Sequence, residues 1–336
     1  METRRANIEL LYEGTNITKY IEADLISFSY TDNASGEAND VSIELKDNNK
    51  KWIDGWAPTK GDIVKPTIVT TNWDKSGDSQ SLSCGAFIVD EPSYSGRPRK
   101  LTLGAVSTPS DTNFMTTNKS KTWQSATVKS IAQYIADTAG VGLYFDSSTN
   151  PVVDYIEQSE TPDVSFLFDL CKNNSLAMKL YNQKIVIFSE TEYEAKDSVM
   201  TITEENVISW QAKTTFTDTG YDGCLIKYTN PTTGETFSYT FTAPDKTGSK
   251  VYQMNEKANS LAEAERKAQA KLRELNKKEY TMSMDLPGNL KLFSSHTVTT
   301  FGFGIFDGKY YLDKVTRKTG SGFTISIEMH KVLEGY

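Results

Sequence analysis

Few residues in this chain are of a type and spacing that perform chemistry. Only two histidines occur, His296 and His330, both in strand-like surroundings. Glu334 follows His330 by four residues but outside any helical periodicity, so spacing supplies neither a metal pair nor a nucleophile with its base. Gly302-Phe-Gly304 followed by Gly308 has the wrong interval for a dinucleotide fingerprint and leads into a strand pattern, which leaves no helix N-terminus for a pyrophosphate. Thr247-Gly-Ser-Lys250 holds a glycine and a lysine without the rest of a phosphate loop. Carboxylate pairs remain. Asp90-Glu91, Glu204-Glu205, Asp307 and Asp313 could supply the two acids that glycoside cleavage needs. Among 44 acidic residues such pairs arise by chance, and neighbours on one strand point to opposite faces. Cys84, Cys171 and Cys224 lie far apart, form no Cys-x-x-Cys pair, and read as reduced, buried thiols of a chain made in a cytoplasm. No catalytic residues, no metal site and no cofactor are expected.

The clearest element among those that would position these residues runs from Ser260 to Tyr311. Ser260 with Glu263 has the spacing of a capping box. Leu261, Ala264, Ala268, Leu272 and Leu275 recur at three- and four-residue intervals, which predicts a helix over 260–276 with one narrow buried stripe. Its charged residues, including Arg266 and Arg273, mostly occupy the other, wet face. Further on, Phe301-Gly-Phe-Gly-Ile-Phe306 runs into Asp307-Gly308, the pattern of a strand entering a two-residue hairpin turn.

Residues 1–108 read as β throughout. Ile8 and Leu10, then Val41, Ile43 and Leu45, alternate with polar neighbours, and strands are also expected at 62–70, 81–90 and 100–106. Thr31–Asp40 reads as a loop, Ser95-Gly-Arg-Pro98 as a turn, and the stretch around Trp52 and Trp56 as a turn folding two indoles onto a barrel end. Five or six short strands without a helix suggest a barrel. A polar linker is expected at 109–121. A 3.6-residue period then appears in Val128, Ile131, Ala132, Ile135, Ala136 and Ala139, closed by Gly140. Leu143-Tyr-Phe145 reads as a strand. Thr161-Pro162 opens a second helix with Thr as N-cap and Pro at its first position, and a hairpin turns at Tyr181-Asn-Gln183. Residues 109–195 thus form a small α+β domain. Residues 196–336 return to β apart from the long helix, with a turn at Pro231-Thr-Thr-Gly234. The expected fold is mainly β: two barrel domains flanking a small α+β domain.

Composition excludes several classes. Thirty-six Lys and Arg against 44 Asp and Glu give a net charge of -8 without a long basic run, which argues against specific nucleic-acid binding. The first residues carry no apolar signal segment, and nowhere do about 18 apolar residues follow one another, so a soluble chain with no membrane segment is expected.

The chain resembles the baseplate or tail hub proteins of contractile-tailed phages, prophages and phage-tail-like bacteriocins, in the late-control-D grouping and nearest its Gram-positive prophage members. The residues carrying this are Ser42-Ile-Glu-Leu-Lys-Asp47, Trp52, Trp56, Pro58, Lys60-Gly-Asp62, Cys84-Gly-Ala-Phe-Ile-Val-Asp-Glu91, Lys121-Thr-Trp123 and Ile156-Glu-Gln158. Phe166-Leu167 with Leu170-Cys171, Leu272-Arg-Glu-Leu-Asn276, and Gly302-Phe-Gly304 with Phe306-Asp-Gly-Lys-Tyr310 complete the set. Leu292-Phe-Ser-Ser295 departs from the family, which often has a glycine there. The resemblance implies barrels like tail-tube subunits and a homotrimer whose pseudo-sixfold ring joins a sixfold tail tube protein to a threefold spike protein among other baseplate proteins. It implies a structural, non-enzymatic role in the baseplate of a virion or tail-like particle assembled in the host cytoplasm. Trp52, Trp56, Arg266 and Arg273 are the candidate subunit-interface residues. A tail-associated peptidoglycan hydrolase, or an adhesin stacking glycans on Trp52 or Trp56, are the alternatives.

Overall fold

In a computed structural model, residues 3–109, 112–229, 234, 236–244, 246–258 and 260–336 are described. The first part of the chain comprises β1 (Arg5–Tyr12), β2 (Thr15–Asn16), α1 (Thr18–Ile21), β3 (Leu25–Asn33), β4 (Asp40–Lys46), β5 (Ile63–Thr71), β6 (Ser79–Ser83), β7 (Phe87–Ser95) and β8 (Lys100–Val106). Alternation drives it: Val41, Ile43 and Leu45 of β4 and Leu101, Leu103 and Ala105 of β8 are buried while their neighbours are not. Side chains of β1, β3, β4, β5, β7 and β8 converge on one core, as in a barrel. Two expectations change here. The 81–90 strand is two strands, because the chain breaks at Cys84-Gly85-Ala86, where Gly85 takes a φ of +103° against the Tyr181 ring. The loop expected at 31–40 is partly strand, since polar Thr31, Asp32 and Asn33 pair with Thr316, Val315 and Lys314 of β21, and Thr31 also with Asp40 of β4.

The insert comprises α2 (Thr112–Thr116), β9 (Asn118–Thr127), α3 (Val128–Ala139), β10 (Gly142–Asp146), β11 (Val152–Pro162), α4 (Asp163–Lys172), β12 (Leu176–Tyr181), β13 (Lys184–Ser189) and α5 (Glu190–Ala195). The capping box at α3 pairs Thr127 with Ser130, and Gly140 closes the helix with a φ of +66°. The hairpin turns at Asn182 and Gln183, whose φ angles of +48° and +60° suit a two-residue turn. The linker is shorter than expected, because α2 and the start of β9 occupy much of 109–121. The β9–β11 ribbon was hidden by its polar, mostly exposed faces. Pro162 ends β11 and is itself the cap of α4, so the helix begins one residue later than Thr161-Pro162 suggested; buried Asp163 receives Lys119 and Gln158.

The remainder comprises β14 (Thr201–Thr203), β15 (Ser209–Thr214), β16 (Gly223–Thr229), β17 (Thr236–Thr242), β18 (Val251–Met254), α6 (Leu261–Asn276), β19 (Tyr280–Pro287), β20 (Thr297–Phe301), β21 (Gly308–Thr319) and β22 (Phe323–Lys331). Phe301–Phe306 is not a strand entering a hairpin. A 3-10 turn at Gly304–Phe306 intervenes, stabilised by Asp307, whose carboxylate accepts from the Phe303 amide at 2.7 Å. Gly308 then opens β21. The residues 231–233 of the expected turn lie outside the described residues.

The topology departs most from two separate barrels. One 14-stranded sheet has the main path β15-β19-β22-β21-β3-β4-β8-β7-β5-β1-β2, with β6 beside β5, β20 beside β21 and β14 beside β20, so β21 pairs antiparallel with β3 from Lys314↔Asn33 to Thr319↔Phe28. The two halves are joined by backbone hydrogen bonds, and Phe323 of β22 packs in the core of the first. The long helix α6 does not lie on this sheet: it packs on β16 and β17 of a separate three-stranded sheet, β17-β16-β18. Its stripe also changes, with Ala264, Ala268, Leu272 and Leu275 buried as expected, Leu261 exposed, and Arg273 and Asn276 buried.

Candidate functional site

The polar residues that matter lie where the three parts of the chain meet. At the first junction Asp32 of β3 is 3% exposed, and its carboxylate accepts from Lys179 of β12 at 3.0 Å, the Asn39 amide at 3.0 Å and the backbone N–H of Ser294 at 2.9 Å. First half, insert and second half are thus held by one side chain. Burial opposes its charge, but Lys179 and the donated hydrogen bonds outweigh burial and hold the carboxyl below its usual range. Beside it Arg317 of β21 is wholly buried over the rings of Tyr30 and Phe293 and donates to the Leu292 carbonyl, while its Nε and Nη1 have no hydrogen-bond partner among the described residues.

The second junction is built from two helical pairs. Ser189 caps α5 by accepting from the Glu192 N–H, and Glu190 and Glu194 then share one face at i, i+4. On α6, Arg273 and Lys277 repeat that spacing with opposite charge. Lys277 pairs with Glu190, and Arg273 Nη2 lies 2.7 Å from Glu194 Oε1, both members of the latter pair at most 4% exposed. Arg273 Nη1 also donates to the Tyr336 main-chain oxygen, and the Asn276 amide donates to the Tyr336 hydroxyl at 2.7 Å.

His330 of β22 completes the cluster. Phe323, Ile325, Ile327 and Met329 of β22 face the interior of the long sheet, whereas His330 points from the opposite face. Its Nε2 lies 3.1 Å from Glu194 Oε1, and its Nδ1 2.8 Å from both oxygens of Asp313. Asp313 is the extra residue of a bulge in β21, since the register shifts between Leu312 and Lys314. Burial works against charge on His330, but Asp313 and Glu194 together raise its pKa to about 9. Burial likewise opposes Glu190, yet Lys277, His330 and Arg273 lower it to about 2. Burial, then the nearby carboxylates, hold the Tyr311 hydroxyl well above its usual range.

Glu190, Glu194 and His330 bring possible ligand atoms within 4.8 Å of one another. The donor set does not fit a metal: three carboxylates already face Arg273, Lys277 and an imidazolium, and a cation would have to displace them. The spacing argument missed this cluster because Glu190 and Glu194 lie far from His330 in sequence. A charged residue at the Leu272-Arg-Glu-Leu-Asn276 stripe was the available signal.

The sequence-selected residues divide. Trp52 is 3% exposed in the first core and Arg273 lies in the buried cluster, so both side chains pack within the chain itself. Trp56 is 43% exposed, stacks edge-on with Trp52 at 5.9 Å, and shares the Lys51 ammonium with Trp52 and Tyr20. Arg266 is turned inward, donating to the Asn174 side chain at 3.0 Å and the Val152 carbonyl at 3.1 Å, so it links α6 to the insert. His296 lies in a turn before β20, not in a strand. Asp90 and Glu91 are exposed on β7, and Glu204 accepts from the Trp210 indole at 3.3 Å. The three cysteines are buried free thiols. No helix among the described residues is long and apolar enough to cross a membrane.

The expected resemblance is found again in known proteins. The chain is 29% identical over 181 residues to a probable baseplate hub protein of Escherichia phage 186, a match covering 53% of this chain and 43% of that protein. The chain therefore spans less than half of that relative's length. The 43 kDa tail protein of prophage MuSo2 from Shewanella oneidensis has a similar fold, with a TM-score of 0.74 at 12% identity over 97% of this chain and 98% of that one. The prophage tail protein gp18 of Listeria monocytogenes has a TM-score of 0.63 at 11% identity, over 98% and 95% of the two chains. No family model matches the chain. The mainly β fold with an α+β insert is thus shared with these phage tail proteins.

Proposed function

We propose that the chain is a baseplate hub of a contractile phage tail or tail-like particle, a homotrimer that adapts a sixfold tail tube to a threefold spike. The observation that carries this reading is the match to a probable baseplate hub protein, supported by the tail-protein fold along nearly the whole chain. The architecture suits the role. Two β-rich halves per chain give six similar units from three copies, the requirement for a pseudo-sixfold ring. Their backbone-paired seam and the junction at Asp32 keep each pair of units at a fixed spacing, as a symmetry adaptor needs. The site of action is then the baseplate of the particle, assembled in the host cytoplasm, with tube, spike and other baseplate proteins as partners.

Size-exclusion chromatography with light scattering tests the oligomer: the expected mass is three times 37.5 kDa. A chain that stays monomeric both alone and inside an intact baseplate overturns the trimeric ring.

A further inference from the structure

We propose that one proton, carried by His330, latches the last helix of the insert to the second half of the chain, and that its loss lets α5 lift from β22. The geometry carries this. Both ring nitrogens face carboxylates from different elements, Nε2 toward Glu194 of α5 and Nδ1 toward Asp313 of β21. Only an imidazolium donates from both nitrogens at once; a neutral ring keeps one N–H and turns a lone pair toward the other carboxylate.

The groups around it set the balance. Glu190 and Glu194 face the ring from α5, Arg273 and Lys277 from α6, Asp313 and the Tyr311 hydroxyl from β21, and Tyr336 closes the far side of Arg273. With His330 protonated, three anions meet three cations. Without that proton one negative charge is left over, and when the remaining N–H sits on Nδ1 toward Asp313, Glu194, whose Oε2 already has no hydrogen-bond partner among the described residues, is held by Arg273 alone.

The proton also has a way out. Asp313 is 44% exposed and lines an open groove of about 880 Å³ together with Lys213, Lys278 and Glu328, so water reaches the carboxylate that binds Nδ1. The sign follows from the raised imidazole: its contribution is complete below about 6.5 and is lost as pH rises through about 9. The latch is therefore closed at neutral pH and opens in the alkaline range.

Hydrogen exchange of the full chain between pH 7 and 10 tests this, scoring residues 190–197 relative to strand β4 at each pH so that the intrinsic rate cancels. The expected result is that 190–197 lose their relative protection with a midpoint near the imidazole's, while β4 keeps its own. In H330Q the segment should be weakly protected at every pH. Should that variant not fold, D313N, altered at a half-exposed side chain, should move the midpoint down by a pH unit or more. A flat ratio across the range, or a midpoint that D313N leaves unmoved, overturns the proposal.

Discussion

Arg273 and Glu194 form a deeply buried ion pair of the second junction, and their energetics follow from desolvation. Removing Arg273 leaves buried Glu194 with His330 alone against its charge, so Arg273→Ala is expected to lower stability by about 3 kcal/mol in urea unfolding. Replacing both by apolar residues of similar size should cost clearly less than the two single changes summed, a non-additivity that a double-mutant cycle reads directly. Gly288 makes a different, steric prediction. A Cβ there would lie 2.1 Å from Cδ1 of Phe323, itself 3% exposed in the first core. Gly288→Ala should therefore destabilise by about 1–3 kcal/mol, and Phe323→Leu in the same chain should recover part of the loss. If Gly288→Ala unfolds at the wild-type urea concentration, the close approach is not a constraint in solution.

At the scale of elements, α6 shows how one helix serves two surroundings. Its small residues Ala264 and Ala268 let it lie closely on β16 and β17, while at its end Arg273 and Lys277 pair with Glu194 and Glu190 of α5, and Asn276 bonds Tyr221 and Tyr336. Its start depends on Ser260, whose hydroxyl accepts from the Glu263 N–H at 3.3 Å, while Glu263 pairs with Lys267 at 3.0 Å. Ser260→Ala should cost about 1 kcal/mol, and the loss should appear first as faster hydrogen exchange in the first turn of α6. Equal exchange in both proteins would show that packing on the three-stranded sheet fixes the helix start without the cap.

At the scale of the molecule, the seam between β3 and β21 decides what can fold alone. Residues 1–108 by themselves would expose the edge of β3 that β21 covers and would lose Phe323 from their core. That segment is expected to aggregate or self-associate on size-exclusion chromatography; a well-behaved monomer would show that the seam is dispensable. What the sequence determined by itself is local. Alternation in β4 and β8, the stripe and closing glycine of α3, the Asn182-Gln183 turn and the start of α6 are set by neighbours within a few residues, so they were legible. The family resemblance was legible too, because it rests on motifs in order along the chain. What only the tertiary structure decided is long-range. Thr31–Asn33 became strand because β21 lies alongside them, and Arg273 became buried because Glu194 neutralises it. His330 became a partner of Asp313 because a bulge in β21 turns that carboxylate toward it. Backbone pairing and ion pairing between separate elements of the chain leave no periodic trace in either segment, so they emerge only when the chain is folded.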